Sequence, residues 1–334
     1  MHELISFLGR QATMDNYFLS CDWGTSSLRL RLADTIDGRI VVELHSPEGI
    51  ARVFGQWQQS GLAEDNKTEF YLSVIDRQVK LLEQQTNQTL NGLLLLVSGM
   101  ASSSIGFIDL PYASMPLGLD GAGMITAFIA GDDEFEHDTL VISGAKTEND
   151  VMRGEETQLI GCFAPGQKIK NELFIFPGTH SKHITVKESQ AASLKTFMTG
   201  EVFSLLTEHS ILKNAIQPGD FDEDAFKRGV NDSTARDLLH LIFKVRTNGL
   251  FDICSSSENY HYLSGLLIGS ELADPVSTNA EKINLVCGDD LRLPYQIALN
   301  ELLPGKKLDV FSAQRADGAT VKGQLVVAKY LKLL

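Results

Sequence analysis

The sequence predicts an α/β protein made of two related halves, and three observations predict it. The chain has 334 residues, too many for one ordinary core and suited to two domains. Strand-like alternation and helix-like spacing succeed each other along its whole length. A strand–turn–strand pattern with Gly24-Thr25-Ser26-Ser27 in its turn returns about 150 residues later around Gly178-Thr179-His180-Ser181. That interval is the size of a domain, well above a solenoid repeat.

Residues 17–21 read as the first strand, followed by the polar turn Asp22-Trp23-Gly24-Thr25-Ser26-Ser27. Leu28, Leu30 and Leu32 alternate with Arg29 and Arg31, the mark of a strand with one buried face. Asp37-Gly38 turns the chain into a third strand at 40–44. Phe70, Val74, Ile75, Val79 and Leu82 lie at helical spacing across 70–85. Residues 93–97 form a buried strand that ends in the loop 98–104; a strand at 140–143 and a helix at 155–162 complete the half. The second half opens with strands at 173–176 and 183–186 around the turn 177–182. Helices are expected at 200–212, 222–230, 232–243 and 260–273. A strand at 283–287 runs into Gly288-Asp289-Asp290, and a helix at about 294–302, a strand at 308–311 and a closing helix at 323–334 follow. No Pro/Gly/Ser-rich linker intervenes, so the domains are set at 14–165 and 166–334. Met14 directly precedes the first strand, so the thirteen residues before it read as a dispensable extension or a start-site artefact.

A net charge of −14 argues against a nucleic-acid partner, because neutralising phosphates requires an excess of Lys and Arg. Cys21, Cys162, Cys254 and Cys287 form no paired spacing, which suits buried thiols in a reducing compartment and neither a disulfide framework nor a zinc site. The N-terminus lacks the features of a secretory signal. The apolar run 93–97 falls far short of the ~20 residues of a membrane span. A cytoplasmic protein with no membrane partner is expected, and a homo-oligomer is left open.

The two turns carry the chemistry. Glycine lets the backbone approach a phosphate, successive N–H groups make an anion-binding concavity, and hydroxyls add donors. Gly24, Thr25 and Ser26 supply this in the first turn; Gly178, Thr179, His180 and Ser181 repeat it, and Lys182 adds a cation. Asp22 at the strand end can hold Mg²⁺ through water. Either turn alone also suits an ordinary hairpin. His180 and His183 make a poor metal pair, since no carboxylate or thiol lies near in sequence. Arg153-Gly154-Glu155-Glu156-Thr157 opens a helix, where its carboxylates either offset the macrodipole or act in catalysis. No P-loop is present, and no Ser-His-Asp arrangement is supported by spacing. Gly265-Leu266-Leu267-Ile268-Gly269 suits close helix packing or contact with an adenine.

Six segments carry a family resemblance: Asp22 to Arg29; Gly99-Met100 with Pro111-Tyr112; Val151-Met152-Arg153-Gly154-Glu155-Glu156-Thr157-Gln158-Leu159-Ile160-Gly161; Pro177 to Lys182; Met198-Thr199-Gly200-Glu201; and Leu263 to Gly269. Their order and spacing resemble the 2-keto-3-deoxygalactonokinase (2-dehydro-3-deoxygalactonokinase) family. The resemblance implies the actin/hexokinase-like fold, two ribonuclease-H-like domains with a nucleotide cleft between them. It implies ATP-dependent phosphorylation of the 6-hydroxyl of 2-dehydro-3-deoxy-D-galactonate in galactonate catabolism, with a small sugar acid and ATP as partners. Asp22 becomes the metal carboxylate and Gly178–Lys182 the second phosphate motif, while Gly265, Gly269, Gly288 and Asp289 line the adenosine pocket. Related sugar kinases place an aspartate where this chain has Glu155 and Glu156; Glu155, directly after Gly154, is taken as the base. Arg153 is the cation for the substrate carboxylate, and Ser102, Ser103 and Tyr112 are taken to bind sugar hydroxyls. The alternatives are a kinase for another sugar or sugar acid, and a nucleotide-binding regulator without turnover.

Overall fold

The alternation at the start of the chain becomes an antiparallel meander of β1 (Tyr17–Trp23), β2 (Leu28–Asp34) and β3 (Ile40–Ser46). The computed structural model describes residues 16–164, 166–235, 237–273 and 280–334; the expectation for residues 1–13 lies outside them. Helices α1 (Ile50–Ser60) and α2 (Lys67–Thr86) follow, and β4 (Leu95–Gly99) then pairs parallel with β1. The half continues through β5 (Ala113–Ser114), β6 (Leu117–Gly118), β7 (Thr126–Ile129), β8 (Thr139–Ile142), β9 (Ala145–Lys146), β10 (Val151–Met152) and α3 (Glu155–Gly161). Its main sheet runs β3-β2-β1-β4-β8-β7, and a small sheet runs β10-β9-β5.

The second half contains β11 (Asn171–Phe176), β12 (Ser181–Lys187), β13 (Gln190–Phe197), α4 (Thr199–His209), α5 (Glu223–Ser233), α6 (Leu238–Leu250) and α7 (Ser256–Leu272). After it come β14 (Lys282–Leu285), α8 (Asp289–Leu302), β15 (Lys307–Val310) and α9 (Ala313–Tyr330). Strands β11, β12 and β13 form an antiparallel meander, and β14 and β15 add in parallel beyond β11. This order, β13-β12-β11-β14-β15, repeats β3-β2-β1-β4-β8, so both halves carry the ribonuclease-H-like mixed sheet of the actin/hexokinase-like fold.

The division of the chain differs from the expected 14–165 and 166–334. The second unit is Lys168–Ala316, and Asp317–Leu334 returns to the first. The cause is apolar cover. Leu19, Cys21 and Trp23 face one side of the first sheet and are buried with Val53, Tyr71, Val74 and Val79 of α1 and α2. Phe18, Ala33, Leu96 and Ile142 face the other side and need Ile160 of α3 with Val321, Leu325 and Ala328 of α9. Gln324 pins α9 to this sheet by donating to Cys21 O and Ser98 Oγ, both at 2.9 Å. With both sheet faces covered, β2 is not one-faced as its alternation predicts; Arg31 is buried and paired with the Glu43 carboxylate.

In the second unit α5 and α7 cross at close range. A Cβ on Gly265 would lie 2.0 Å from Phe226 O, and one on Gly269 would lie 2.4 Å from Ser233 Oγ. Both glycines therefore serve helix packing, one of the two roles their sequence allows. Helix α8 starts at Asp289, ahead of the expected 294, with Gly288 as its N-cap and Pro294 in its interior. Among the described residues no helix is long and apolar enough to cross a membrane.

Gly265→Ala is expected to cost about 1–3 kcal/mol, because the new methyl must push two packed helices apart. The midpoint of urea unfolding reads this directly; an unchanged midpoint would contradict the packing role.

Candidate active site

The first turn is fixed by the helix that follows it. Gly24 N–H donates to Ser27 O at 2.9 Å, while Gly24 O and Thr25 O accept from the Ile50 and Ala51 amides of α1 at 3.0 and 3.1 Å. The turn's carbonyls are thereby used. Thr25 and Ser26 are exposed, and their amides have no acceptor recorded among the described residues. Asp22 stands one residue before the end of β1, opposite Arg29 in the β1–β2 register. The Arg29 guanidinium lies 3.8 Å from the Asp22 carboxylate and 3.9 Å from that of Asp317.

Two glycines bring the start of α3 to this turn. Gly99, at φ +87°, ends β4 where a Cβ would come within 2.8 Å of Trp23 O; Gly154, at φ +114°, caps α3 and faces Gly99. Asp22, Arg29, Gly154, Glu155, Gln158, Asp317 and Thr320 then line one cavity of about 190 Å³.

Glu155 and Glu156 sit in opposite environments. Glu155 is half-buried on the cavity and its Oε2 accepts the Arg153 amide at 3.1 Å. Glu156 is 1% exposed, and its two oxygens accept the Gly154 amide at 2.9 and 2.8 Å. Burial, helped by the Glu155 charge, pushes the Glu156 carboxyl up to about 7. Glu156 thus faces inward and holds the turn that presents Glu155.

Beside them, three residues named for substrate converge. The Arg153 guanidinium stacks 4.2 Å above the Tyr112 ring, and its Nη1 donates to Ser102 Oγ at 2.6 Å and to Ser102 O. Arg153 Nε is buried without an acceptor among the described residues. Ser103 stays outside this cluster; its hydroxyl turns back onto Met100 O at 2.7 Å.

The second turn repeats the first. Thr179 O accepts the Glu201 amide of α4 at 3.0 Å, and a Cβ on Gly200 would lie 2.6 Å from Gly178 O. His180 is paired with the Glu201 carboxylate, Lys182 Nζ donates to His180 O at 3.0 Å, and buried Ser181 donates to Glu271 at 2.6 Å. His183 points elsewhere, to Glu271 at 2.8 Å, so the two histidines do not converge. A cavity of about 320 Å³ opens beside this turn, with Gly178, Gly200, Phe203, Leu267, Ile268 and Tyr295 among its walls. Its α8 wall comes from Asp290, Leu291 and Pro294, whereas Gly288 and Asp289 lie just before it, Asp289 paired with Arg292 at 2.9 Å. Among the described residues no cluster of three or more His, Cys, Asp or Glu could hold a metal. Residues missed from sequence are Gly49, Asp317 and Glu271. A lone acid inside the apolar run around Leu266–Leu272 was the available signal for Glu271.

A family model described as 2-keto-3-deoxy-galactonokinase matches residues 22–324. A Rhizobium meliloti (strain 1021) protein named "Probable 2-dehydro-3-deoxygalactonokinase" is 30% identical over 91% of this chain and 96% of its own. The 2-dehydro-3-deoxygalactonokinase of Escherichia coli (strain K12) is 30% identical over 85% of this chain and 90% of its own. A crystal structure from Sinorhizobium meliloti, carrying the same assignment provisionally, superposes with a TM-score of 0.78 at 27% identity, covering 95% of this chain and 100% of that one.

The Glu156 environment makes stability depend on pH. Between about pH 4.5 and 7 the folded chain keeps a proton that the unfolded chain has released. The stability this carboxyl contributes is therefore whole below the lower value and lost as pH rises through the upper one. Glu156→Gln keeps a carbonyl for the Gly154 amide and cannot ionise. It is expected to become more stable relative to wild type by on the order of 2–3 kcal/mol between about pH 5 and 8. Urea unfolding of both proteins at the two pH values checks this; parallel pH dependences would contradict it.

Proposed function

Because the chain belongs to the 2-keto-3-deoxy-galactonokinase family, we propose that it transfers the γ-phosphoryl group of ATP to the 6-hydroxyl of 2-dehydro-3-deoxy-D-galactonate, a step of galactonate catabolism. The observation that carries the reading is the shared cavity of Asp22 and Glu155: a strand-end carboxylate beside an amide-bearing turn, with a second, half-buried carboxylate on the same cavity.

Phosphoryl transfer asks a protein for positioning and charge stabilisation more than for covalent chemistry. The exposed Thr25 and Ser26 amides offer donors to phosphate oxygens, and the Gly178–Thr179 turn does the same in the second unit. The apolar cavity beside that turn has the walls an adenosine needs, with Phe203, Leu267, Ile268 and Tyr295 in place of the two glycines. Asp22 fits Mg²⁺, which keeps most of its waters and takes one or two carboxylates along with substrate phosphates. When bound, that ion neutralises and aligns the phosphate oxygens. Glu155 accepts the proton as the sugar hydroxyl oxygen forms its bond to the γ-phosphorus and the bond to the ADP oxygen breaks. Glu156 cannot share that task, being enclosed and committed to the Gly154 amide.

Arg153 gives the acid specificity. Its Nη1 is anchored on Ser102 and its face on Tyr112, while its buried Nε has no acceptor among the described residues, so the guanidinium keeps donor capacity for a carboxylate. A guanidinium can hold a carboxylate through two parallel hydrogen bonds, and a buried donor left unmatched by a neutral sugar is costly.

One assay series tests the reading. Coupled ADP-release kinetics on 2-dehydro-3-deoxy-D-galactonate should give a kcat/KM far above that on glucose. Glu155→Gln should lower kcat by about 10²–10⁴-fold with ATP binding nearly unchanged, as expected for loss of a general base. Comparable values for glucose and the acid would reject the acid assignment. A larger loss in Glu156→Gln than in Glu155→Gln would move the base. No ADP release with any sugar would favour a non-catalytic nucleotide binder.

A further inference from the structure

Glu271 is a buried acid to which the proposed transfer gives no chemical task. It lies on α7, 3% exposed, and is held by side chains from three other elements. Oε1 accepts from Ser181 Oγ at 2.6 Å and meets His183 Nε2 at 2.8 Å; Oε2 accepts from the Tyr295 hydroxyl at 2.8 Å and from the Thr199 hydroxyl. Burial alone would raise this carboxyl, but the His183, Ser181 and Thr199 contacts hold it below the ordinary carboxylate value, so it stays ionised.

The partners are where they matter for a ligand. Ser181 closes the Gly178 turn and starts β12. Thr199 opens α4, one residue before the glycine on which that turn rests, and it lines the cavity. Tyr295 of α8 forms another wall of the same cavity. His183 also packs on Phe197 at the end of β13, with ring centroids 4.5 Å apart. One carboxylate thus ties the strand leaving the turn, the helix start beneath it and the opposite wall. A carboxylate has about four lone-pair sites, and these contacts occupy them. It has no capacity left for a ligand or a proton transfer.

We infer that Glu271 is the positioning residue of the nucleotide pocket, setting nucleotide affinity by holding turn, helix start and Tyr295 in one arrangement without touching the nucleotide. This rests on the reading of that cavity as the adenosine site. Glu271→Gln keeps the size but puts an amide donor against hydroxyl donors, so the partners must rearrange. Tyr295→Phe deletes one donor and keeps the ring on the cavity.

The test combines calorimetric titration with Mg·ADP, KM for ATP and for the sugar acid, and the rise in Tm that Mg·ADP produces. In Glu271→Gln, Mg·ADP should bind about tenfold more weakly and KM for ATP should rise in step, the scale of losing charge-assisted hydrogen bonds. KM for the acid should stay within about twofold, and the nucleotide-dependent rise in Tm should shrink. Tyr295→Phe should move the same quantities in the same direction by about threefold. A variant with a lower Tm that still binds Mg·ADP as wild type does would reduce Glu271 to a structural group and overturn the inference. So would an equal rise in both KM values. Should Glu271→Gln fail to fold, wild-type Mg·ADP affinity in Tyr295→Phe and Thr199→Val would overturn it alone. A wild-type protein that does not bind Mg·ADP would instead reject the nucleotide reading beneath it.

Discussion

A Cβ on Gly49 would lie 2.2 Å from the Ser26 carbonyl carbon, and one on Gly200 would lie 2.8 Å from Thr179 Cα. Each hairpin turn can rest on a helix start only because that helix start has no side chain. The contact does two jobs at once. The first amides of a helix have no partner within it, and neither α1 nor α4 has a side-chain cap. The turn's carbonyls fill that place, from Gly24 and Thr25 in one half and from Thr179 in the other. Since its carbonyls are directed at the helix, each turn is held in one conformation. In the first, the amides of Thr25 and Ser26 have no backbone acceptor among the described residues. The duplicated sheet order is the architecture, and the turn seated on a glycine helix start recurs with it.

The second constraint is the contrast between adjacent carboxylates. Glu155 and Glu156 share a helix start, yet the helical twist sends one to the cavity and the other inward. Burial raises Glu156 towards neutrality and binds it to Gly154, whose φ of +114° turns the chain into α3. Two adjacent acids thereby acquire different surroundings, one on the cavity, where the proposed function gives it the substrate proton, and one shaping the backbone. The same logic applies to Glu271, an ionised acid made affordable by its donors.

Much of this is legible in the sequence because turn chemistry and period-two alternation are local. Both turns, the strands around them and the helix beginning at Glu155 follow from residue type and spacing. What is hidden depends on contacts distant in sequence. Arg31 alternates like an exposed residue, but the face it points to is covered. The closing helix α9 belongs to the first half because the back of the first sheet needs its apolar stripe, a demand invisible in its own residues. Gly265 and Gly269 suit either packing or an adenine by composition; only the approach of α5 decides for packing. Strand β13 is half exposed, without a regular alternation of burial, and poor in β-branched residues, so alternation does not reveal it. Helix α1 does carry a stripe, Ile50, Val53, Phe54 and Trp57, and its recognition would have pointed to Gly49.

The central claim is that each seated turn offers its backbone amides to phosphate oxygens, as the proposed function requires. Amide hydrogen exchange, followed with and without Mg²⁺ and a non-hydrolysable ATP analogue, tests it without altering a residue. The account expects slowed exchange at Thr25 and Ser26 in the first unit and at Gly178 and Thr179 in the second. Saturating binding of the analogue with exchange unchanged at these four amides would contradict it.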